Sequence, residues 1–125
     1  MTRRVLIIED EPNIIESLAW LLGREGFDVT SEQDGGAALD RIARETPDLV
    51  ILDVMLPHCD GFEILRAIRA GKDTARTPVI MLTARGQARD RETAEKLGVD
   101  LFITKPFLNS HVVESARRLA ARAEP

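Results

Sequence analysis

Four short apolar runs in the chain each lead into polar residues, which carry carboxylate, hydroxyl or ammonium groups. The runs are Val5–Ile8, Leu49–Leu52, Val79–Leu82 and Leu101–Thr104. They lead, in that order, into Glu9-Asp10, Asp53, Thr83 and Lys105-Pro106. Fully apolar runs of this length are typical of parallel strands that are covered on both faces. A fifth segment, Phe27–Thr30, alternates apolar and polar residues and predicts a half-exposed edge strand.

Segments with helical spacing of apolar residues lie between and after the predicted strands. They begin near Pro12, Asp34, Gly61, Gln87 and Leu108. This (βα)₅ alternation predicts an α/β fold, a doubly wound parallel sheet with helices on both faces. The last helix ends close to the end of the sequence, so we expect a single domain over residues 1–125, with a core of about 4–120 and no output domain.

Composition narrows the possible functions. The formal net charge is −4, and the basic residues form no dense run. We therefore expect no direct nucleic acid contact and no attachment to an anionic membrane. Cys59 is the one cysteine, which excludes an intrachain disulfide. With no signal-peptide pattern and no apolar stretch of membrane-spanning length, a cytoplasmic location is predicted.

The polar residues at the strand ends suggest the chemistry. Parallel strands of an open α/β sheet bring their carboxyl ends to one edge, where such folds bind ligands. Glu9, Asp10, Asp53, Thr83 and Lys105 would therefore meet in one crevice. Carboxylate oxygens suit a hard divalent cation, and a hydroxyl and an ammonium group suit a phosphoryl group.

Five motifs in this order resemble the response-regulator receiver domain of two-component signalling, the CheY-like family. They are Ile7–Pro12, Leu52–Pro57, Asp60-Gly61, Leu82–Arg85 and Thr104–Phe107. Each motif alone is weak, but the five together extend over nearly the whole chain and each lies at its expected strand end. The resemblance implies a flavodoxin-like sheet with strand order 2-1-3-4-5.

The resemblance also implies a role for each acidic residue. Asp53 would accept a phosphoryl group from a phosphohistidine on a sensor histidine kinase or a histidine phosphotransfer protein. Mg²⁺ (or Mn²⁺) would be held by Asp10, Asp53 and the backbone carbonyl of Met55. Glu9 would complete the acidic pocket, directly or through water. Such a protein is not an enzyme in the usual sense, although it assists its own phosphorylation and dephosphorylation.

The remaining family positions would form a switch. Lys105 would bind the phosphoryl group, and a cis peptide to Pro106 would direct its side chain into the pocket. Thr83 would be the switch hydroxyl, and Phe102 the aromatic residue that turns inward when Thr83 moves. The helix over about 87–97, the fifth strand and the start of the last helix would contact a downstream protein or a second copy of the chain.

The helix over about 87–97 has a thin apolar face, formed mainly by Ala88, Ala94 and Leu97. Little burial means low local stability, which is typical of mobile elements. The charges at 89–92 alternate in sign and predict a solvated helix face.

Two other functions share parts of this pattern. An aspartyl-nucleophile phosphatase of the haloacid-dehalogenase type commonly has a second Asp two residues after the nucleophile, and Met55 stands there. A flavodoxin-like binding module needs a phosphate-cradling loop after the first strand. Glu9-Asp10-Glu11 at that position repels phosphate unless a metal ion is present.

Overall fold

Five strands and five helices alternate along the chain in a computed structural model, which describes residues 2–84 and 86–122. The elements, in chain order, are β1 (Arg4–Ile8), α1 (Pro12–Arg24), β2 (Asp28–Glu32), α2 (Gly35–Glu45), β3 (Leu49–Asp53), α3 (Gly61–Ala70), β4 (Val79–Thr83), α4 (Ala88–Lys96), β5 (Leu101–Thr104) and α5 (Asn109–Ala121). The predicted (βα)₅ alternation is confirmed. Within the described residues, no helix is long and apolar enough to cross a bilayer.

The strands form one parallel sheet in the order β2-β1-β3-β4-β5, as predicted. Every residue of β3 and β4 is buried, which explains why these strands read as continuous apolar runs. The edge strand β2 is only partly buried, and it runs over Asp28–Glu32, slightly later than the predicted Phe27–Thr30.

Alternate residues of each strand face two separate apolar layers. Leu6, Val50 and Met81 lie in the layer that also contains buried residues of α2, α3 and α4. Their neighbours in sequence pack against α1 and α5 on the other face. This two-residue period holds the sheet in one register, since a slip of one residue would exchange the two faces.

Helix α4 differs from the prediction in how it packs. It spans Ala88–Lys96, within a residue of the predicted bounds, and Ala94 is buried. Ala88, however, is exposed, and Asp90 is buried in its place. The prediction of a fully solvated charged face is therefore wrong in part. Arg91 is exposed, as predicted, although its guanidinium carbon also lies 4.9 Å from the centre of the Phe102 ring.

The loop between β3 and α3 is held close to its neighbours by backbone contacts. The Pro57 carbonyl accepts hydrogen bonds from the backbone N–H groups of Gly35 and Cys59, at 3.0 Å and 2.9 Å. Within the loop, His58 adopts a left-handed φ of 69° and its Nδ1 lies 2.8 Å from Asp34 Oδ1. The loop that follows Asp53 is thereby fixed against the start of α2.

At the opposite end of the sheet, one ion pair joins several segments. Arg69 donates hydrogen bonds to the carbonyls of Thr77 and Gly98 and to the Asp100 carboxylate. The same Asp100 oxygen accepts the backbone N–H of Val79 at 2.8 Å. This cluster fixes the starts of β4 and β5 to the end of α3.

Gly61 lies so close to the preceding strand that a Cβ at this position would collide with the backbone of Asp53 and Val54. We expect Gly61→Ala to lower the free energy of unfolding by about 1–3 kcal/mol, since backbone atoms cannot move aside as a flexible side chain does. Gly23→Ala is the matched control: Gly23 lies in α1 with open space around it. There, alanine should raise stability by up to about 1 kcal/mol. Urea unfolding measures both, and equal effects would contradict the proposed crowding.

Candidate functional site

The polar residues predicted to meet do so at the carboxyl edge of the sheet. Glu9 and Asp10 follow β1, Asp53 and Thr83 are the last residues of β3 and β4, and Lys105 follows β5. Because β1, β3, β4 and β5 are consecutive neighbours in the sheet, these residues form one row. Lys105 continues the β4–β5 pairing, since its backbone N–H donates to the Thr83 carbonyl at 2.8 Å.

Glu9 is a fully buried acid whose two carboxylate oxygens have different surroundings. Its Oε2 accepts hydrogen bonds from the backbone N–H groups of Asp10 and Glu11, at 3.0 Å and 3.1 Å. Its Oε1 lies 2.9 Å from Lys105 Nζ. The turn after β1 therefore fixes the carboxylate and directs one oxygen toward the crevice.

Asp53 is also buried, with 4% of its surface exposed. Its Oδ1 accepts the backbone N–H of Met55 at 3.2 Å, and its Oδ2 lies 3.1 Å from Lys105 Nζ. The Met55 side chain is 54% exposed and its backbone lies beside the carboxylate. The loop after β3 thus presents main-chain groups, rather than a second acid, to Asp53.

The Lys105 ammonium group lies among three carboxylates. Besides Glu9 and Asp53, it contacts Oε1 of Glu11 at 3.2 Å. The side chain of Lys105 is 11% exposed, and that of Glu11 is 58% exposed. The Lys105–Pro106 peptide is cis, in agreement with the resemblance. One cation thus contacts two acids that follow β1 and the acid that ends β3.

The pKa values of Glu9 and Lys105 are both raised, which favours the neutral form of Glu9 and the charged form of Lys105. Burial, with a further contribution from the Asp53 charge, raises the pKa of Glu9 from 4.5 to about 7, although Lys105 opposes the shift. Burial alone would lower the pKa of Lys105, but its close contacts with the Glu9 and Asp53 carboxylates outweigh it and raise that pKa. Lys105 therefore remains protonated, while Glu9 holds a proton more readily than an ordinary carboxyl group.

One group of acids in the described residues has the geometry to hold a metal ion. Glu9, Asp10 and Asp53 each offer a carboxylate oxygen, and these oxygens all lie within 4.8 Å of one another. Glu9 and Asp53 are buried, whereas Asp10 is exposed to solvent. Hard oxygen ligands of this kind suit Mg²⁺, which retains several water molecules.

Thr83 and Phe102 connect the site to α4. Thr83 is fully buried and pairs with Thr104 across β4 and β5. Two residues earlier, on the same face of β4, Met81 pairs with Phe102. Phe102 is buried in the layer that contains Ala94 of α4. Arg91 of α4 lies over its ring and donates a hydrogen bond to its carbonyl at 3.3 Å.

Sequence reasoning brought the main residues together but missed two contacts. The sequence indicates only that Glu11 belongs to an acidic turn and that Arg91 is a solvated charge. The acidic run at 9–11 was a signal for the first contact, whereas nothing in the sequence indicates that Arg91 lies over Phe102. Arg85, the last residue of the fourth motif, lies outside the described residues.

The arrangement suits nucleophilic attack by a carboxylate on phosphorus. In such an attack Asp53 would supply the nucleophile, Lys105 a positive charge for phosphoryl oxygens, and the acids a place for a cation. The phosphatase alternative needs an acid-base group two residues after the nucleophile. Met55 offers no such side chain, so the geometry favours a phosphoacceptor over that enzyme.

Comparison with known proteins agrees with this chemistry. The family model described as "Response regulator receiver domain" matches residues 5–117. Over 124 residues the chain is 37% identical to the alkaline phosphatase synthesis transcriptional regulatory protein PhoP of Bacillus subtilis (strain 168). That match covers 99% of this chain and 51% of PhoP, so the chain spans about half the length of this curated relative.

Solved structures show the same fold. The BeF₃-activated N-terminal receiver domain of Klebsiella pneumoniae RstA is 30% identical, with a TM-score of 0.87, and the match covers 94% of this chain and 98% of that one. The receiver domain of Francisella response regulator 1452 is 29% identical, with a TM-score of 0.89, over 98% and 100% of the two chains.

The raised pKa of Glu9 predicts how the stability of the metal-free protein depends on pH. Between pH 4.5 and about 7 the folded state holds a proton at Glu9 that the unfolded state has lost. The free energy of unfolding must therefore fall as the pH rises through this window, by up to about 3 kcal/mol from this group. Glu9→Gln cannot titrate and should lack this component. Urea unfolding with a chelator, at about pH 5 and about pH 8, measures both proteins, and identical pH slopes would refute the prediction.

Proposed function

The chain belongs to the response-regulator receiver family, and on that premise we propose that it is a phosphoacceptor switch in which Asp53 receives a phosphoryl group. Receiver domains interact with histidine kinases and with downstream effectors. For this chain, we propose that the donor is a phosphohistidine on a sensor histidine kinase or a histidine phosphotransfer protein. The observation that carries the proposal is the buried Asp53 carboxylate, 3.1 Å from Lys105 Nζ and within 4.8 Å of two further acids.

In the proposed transfer, a carboxylate oxygen of Asp53 forms a bond to phosphorus. The bond from phosphorus to the donor nitrogen breaks, and its electron pair remains on the histidine ring. Because the other ring nitrogen of the phosphohistidine carries a proton in this step, the products are an acyl phosphate on Asp53 and a neutral imidazole. Such transfers depend mainly on positioning and on compensation of charge rather than on proton transfer, which fits a site rich in fixed charges.

The acidic residues fit a divalent cation. Burial raises the pKa of Glu9, and the charge of Asp53 raises it further because the two carboxylates repel one another. We propose that Asp10, Asp53 and the Met55 backbone carbonyl hold Mg²⁺ (or Mn²⁺), with Glu9 completing the pocket directly or through water. When bound, the cation would offset the repulsion between the carboxylates and the incoming phosphoryl group.

Lys105 and Thr83 would contact the phosphoryl oxygens. The Lys105 ammonium is already beside Asp53, and contact with a phosphoryl oxygen requires only local rearrangement. The buried Thr83 ends the neighbouring strand and would donate its hydroxyl to a second oxygen. A charged and a neutral donor on adjacent strands would orient the group.

We further propose that the response reaches the surface formed by α4, β5 and the start of α5. Thr83 lies on the face of β4 that packs against Phe102, and Phe102 packs under Arg91 of α4. A displacement of Thr83 toward the phosphoryl group would change the packing of this aromatic residue. A downstream protein or a second copy of the chain would bind this surface differently after the change. A shift of a few kcal/mol between two states is enough for such a switch.

Phosphorylation of Asp53 tests the main proposal. We expect intact-mass analysis to show one added phosphoryl group after incubation with acetyl phosphate and Mg²⁺, and little after chelation of the metal. Asp53→Asn should show no addition, because an amide is a poor nucleophile. Asp40→Asn, at an exposed acid of α2 paired with Arg44, is the control and should be labelled like the parent protein. Labelling of Asp53→Asn as readily as the parent would overturn the proposal.

Amide hydrogen exchange tests the switch. With beryllofluoride and Mg²⁺, the parent protein should change its protection in α4 and β5 and much less in α2. Thr83→Ala should still bind beryllofluoride but show less than half of that change, because the hydroxyl that couples the site to Phe102 is absent. Unchanged protection in α4 of the parent protein would refute this output surface.

A further inference from the structure

Glu11 has an unusual position at the start of α1. It is the N-cap residue of the helix, and its backbone carbonyl accepts the N–H groups of Ile14 and Ile15. N-cap side chains commonly accept a hydrogen bond from the first turn. The Glu11 side chain makes no such bond and instead reaches Lys105, with Oε1 at 3.2 Å from Nζ.

The exposure of Glu11 separates it from the other two carboxylates around Lys105. Glu9 and Asp53 are 1% and 5% exposed at their side chains, whereas Glu11 is 58% exposed. The buried acids belong to the metal pocket and the phosphoacceptor. Glu11 is largely exposed while it contacts the same ammonium group, so a donor that approaches Asp53 and Lys105 from solvent would come close to its charge.

We propose that Glu11 is a specificity-determining residue that selects phosphodonors by their negative charge. This inference rests on the proposed function of Asp53 and adds a role for a residue outside the acceptor and the metal ligands. In the phosphoryl-free state the Glu11 carboxylate forms an ion pair with the solvent-facing side of the Lys105 ammonium group. As a donor arrives, Lys105 exchanges this carboxylate for a phosphoryl oxygen, and the displaced charge of Glu11 remains near the donor.

The expected size of the selection follows from Coulomb's law. For charges about 6 Å apart in a water-like dielectric, one additional negative charge on the donor slows its reaction by about three-fold. Acetyl phosphate is mostly a dianion near neutral pH, whereas phosphoramidate is mostly a zwitterion with one net negative charge. Glu11 should therefore disfavour acetyl phosphate more than phosphoramidate.

The two donors react at Asp53 by parallel steps. A carboxylate oxygen bonds to phosphorus in both cases. With acetyl phosphate the P–O bond breaks and acetate leaves with the electron pair. With the phosphoramidate zwitterion the P–N bond breaks, and ammonia leaves with the three hydrogens already on its nitrogen. The products on the protein are identical, so a difference between donors reports on their charge and approach.

The experiment compares phosphorylation rates of the parent protein, Glu11→Gln, Glu11→Asp and Glu16→Gln with each donor at fixed Mg²⁺. Glu16 is an exposed acid on the same helix, so Glu16→Gln removes the same charge away from Lys105. We expect Glu11→Gln to raise the ratio of the acetyl phosphate rate to the phosphoramidate rate by about three-fold. Added salt should reduce this gain. Glu11→Asp retains the charge, and its ratio should stay close to that of the parent.

Several results would overturn the inference while leaving the acceptor proposal intact. A structural role for Glu11 would alter both rates equally and leave the ratio unchanged. A general charge effect would make Glu16→Gln as strong as Glu11→Gln. If the parent protein is not labelled at Asp53 by either donor, the proposed function itself fails and the inference fails with it. Thermal unfolding of each variant verifies that the compared proteins are folded.

Discussion

The burial of Glu9 beside Asp53 depends on the ammonium group of Lys105. Its nitrogen lies 2.9 Å from one carboxylate and 3.1 Å from the other. Two buried like charges repel strongly, and removal of one partner from a buried ion pair typically costs several kcal/mol because the remaining charge is uncompensated. Glu9 follows β1, Asp53 is the last residue of β3 and Lys105 follows β5, so this interaction joins three strands at one edge. A phosphoryl group on Asp53 would enter this same interaction, so the proposed transfer would act directly on a contact that holds the edge together.

This dependence gives the proposed transfer a physical route to a distant face. Strand β4 lies between the strands that carry the acids and the lysine, and Thr83 is its last residue. The face that bears Thr83 continues to Met81, which pairs with Phe102. Phe102 is in turn covered by Arg91, a residue of the helix with few buried side chains. Each step is a contact between neighbouring side chains or paired strands, and the last element is the one that tertiary packing holds least firmly.

The sequence predicted the sheet and the main site residues because both depend on short-range patterns. Apolar runs of four residues specify buried parallel strands, and the residue after each run is brought to the shared edge by topology alone. The contacts that sequence reasoning missed depend on tertiary packing. Burial of Asp90 instead of Ala88 depends on the rotation of α4 about its axis, which a helix with so few apolar residues does not encode. The reach of Glu11 to Lys105 likewise joins residues 94 positions apart, and the acidic run at 9–11 alone does not reveal it.

The opposite end of the sheet limits where movement can occur. Asp100 accepts the backbone N–H of Val79 and the guanidinium of Arg69, and Arg122 of the chain end after α5 lies 3.3 Å from its other oxygen. The amino ends of β4 and β5 are therefore held by charged hydrogen bonds, which are stronger than neutral ones. Their carboxyl ends, by contrast, carry the residues that a phosphoryl group would engage. Since one end of each strand is fixed, an altered contact at Thr83 or Lys105 cannot be absorbed by sliding the strand. The altered contact must instead be accommodated by side chains and by the segments that follow the carboxyl ends of the strands. Among the helices that begin at this edge, α4 is the least buried.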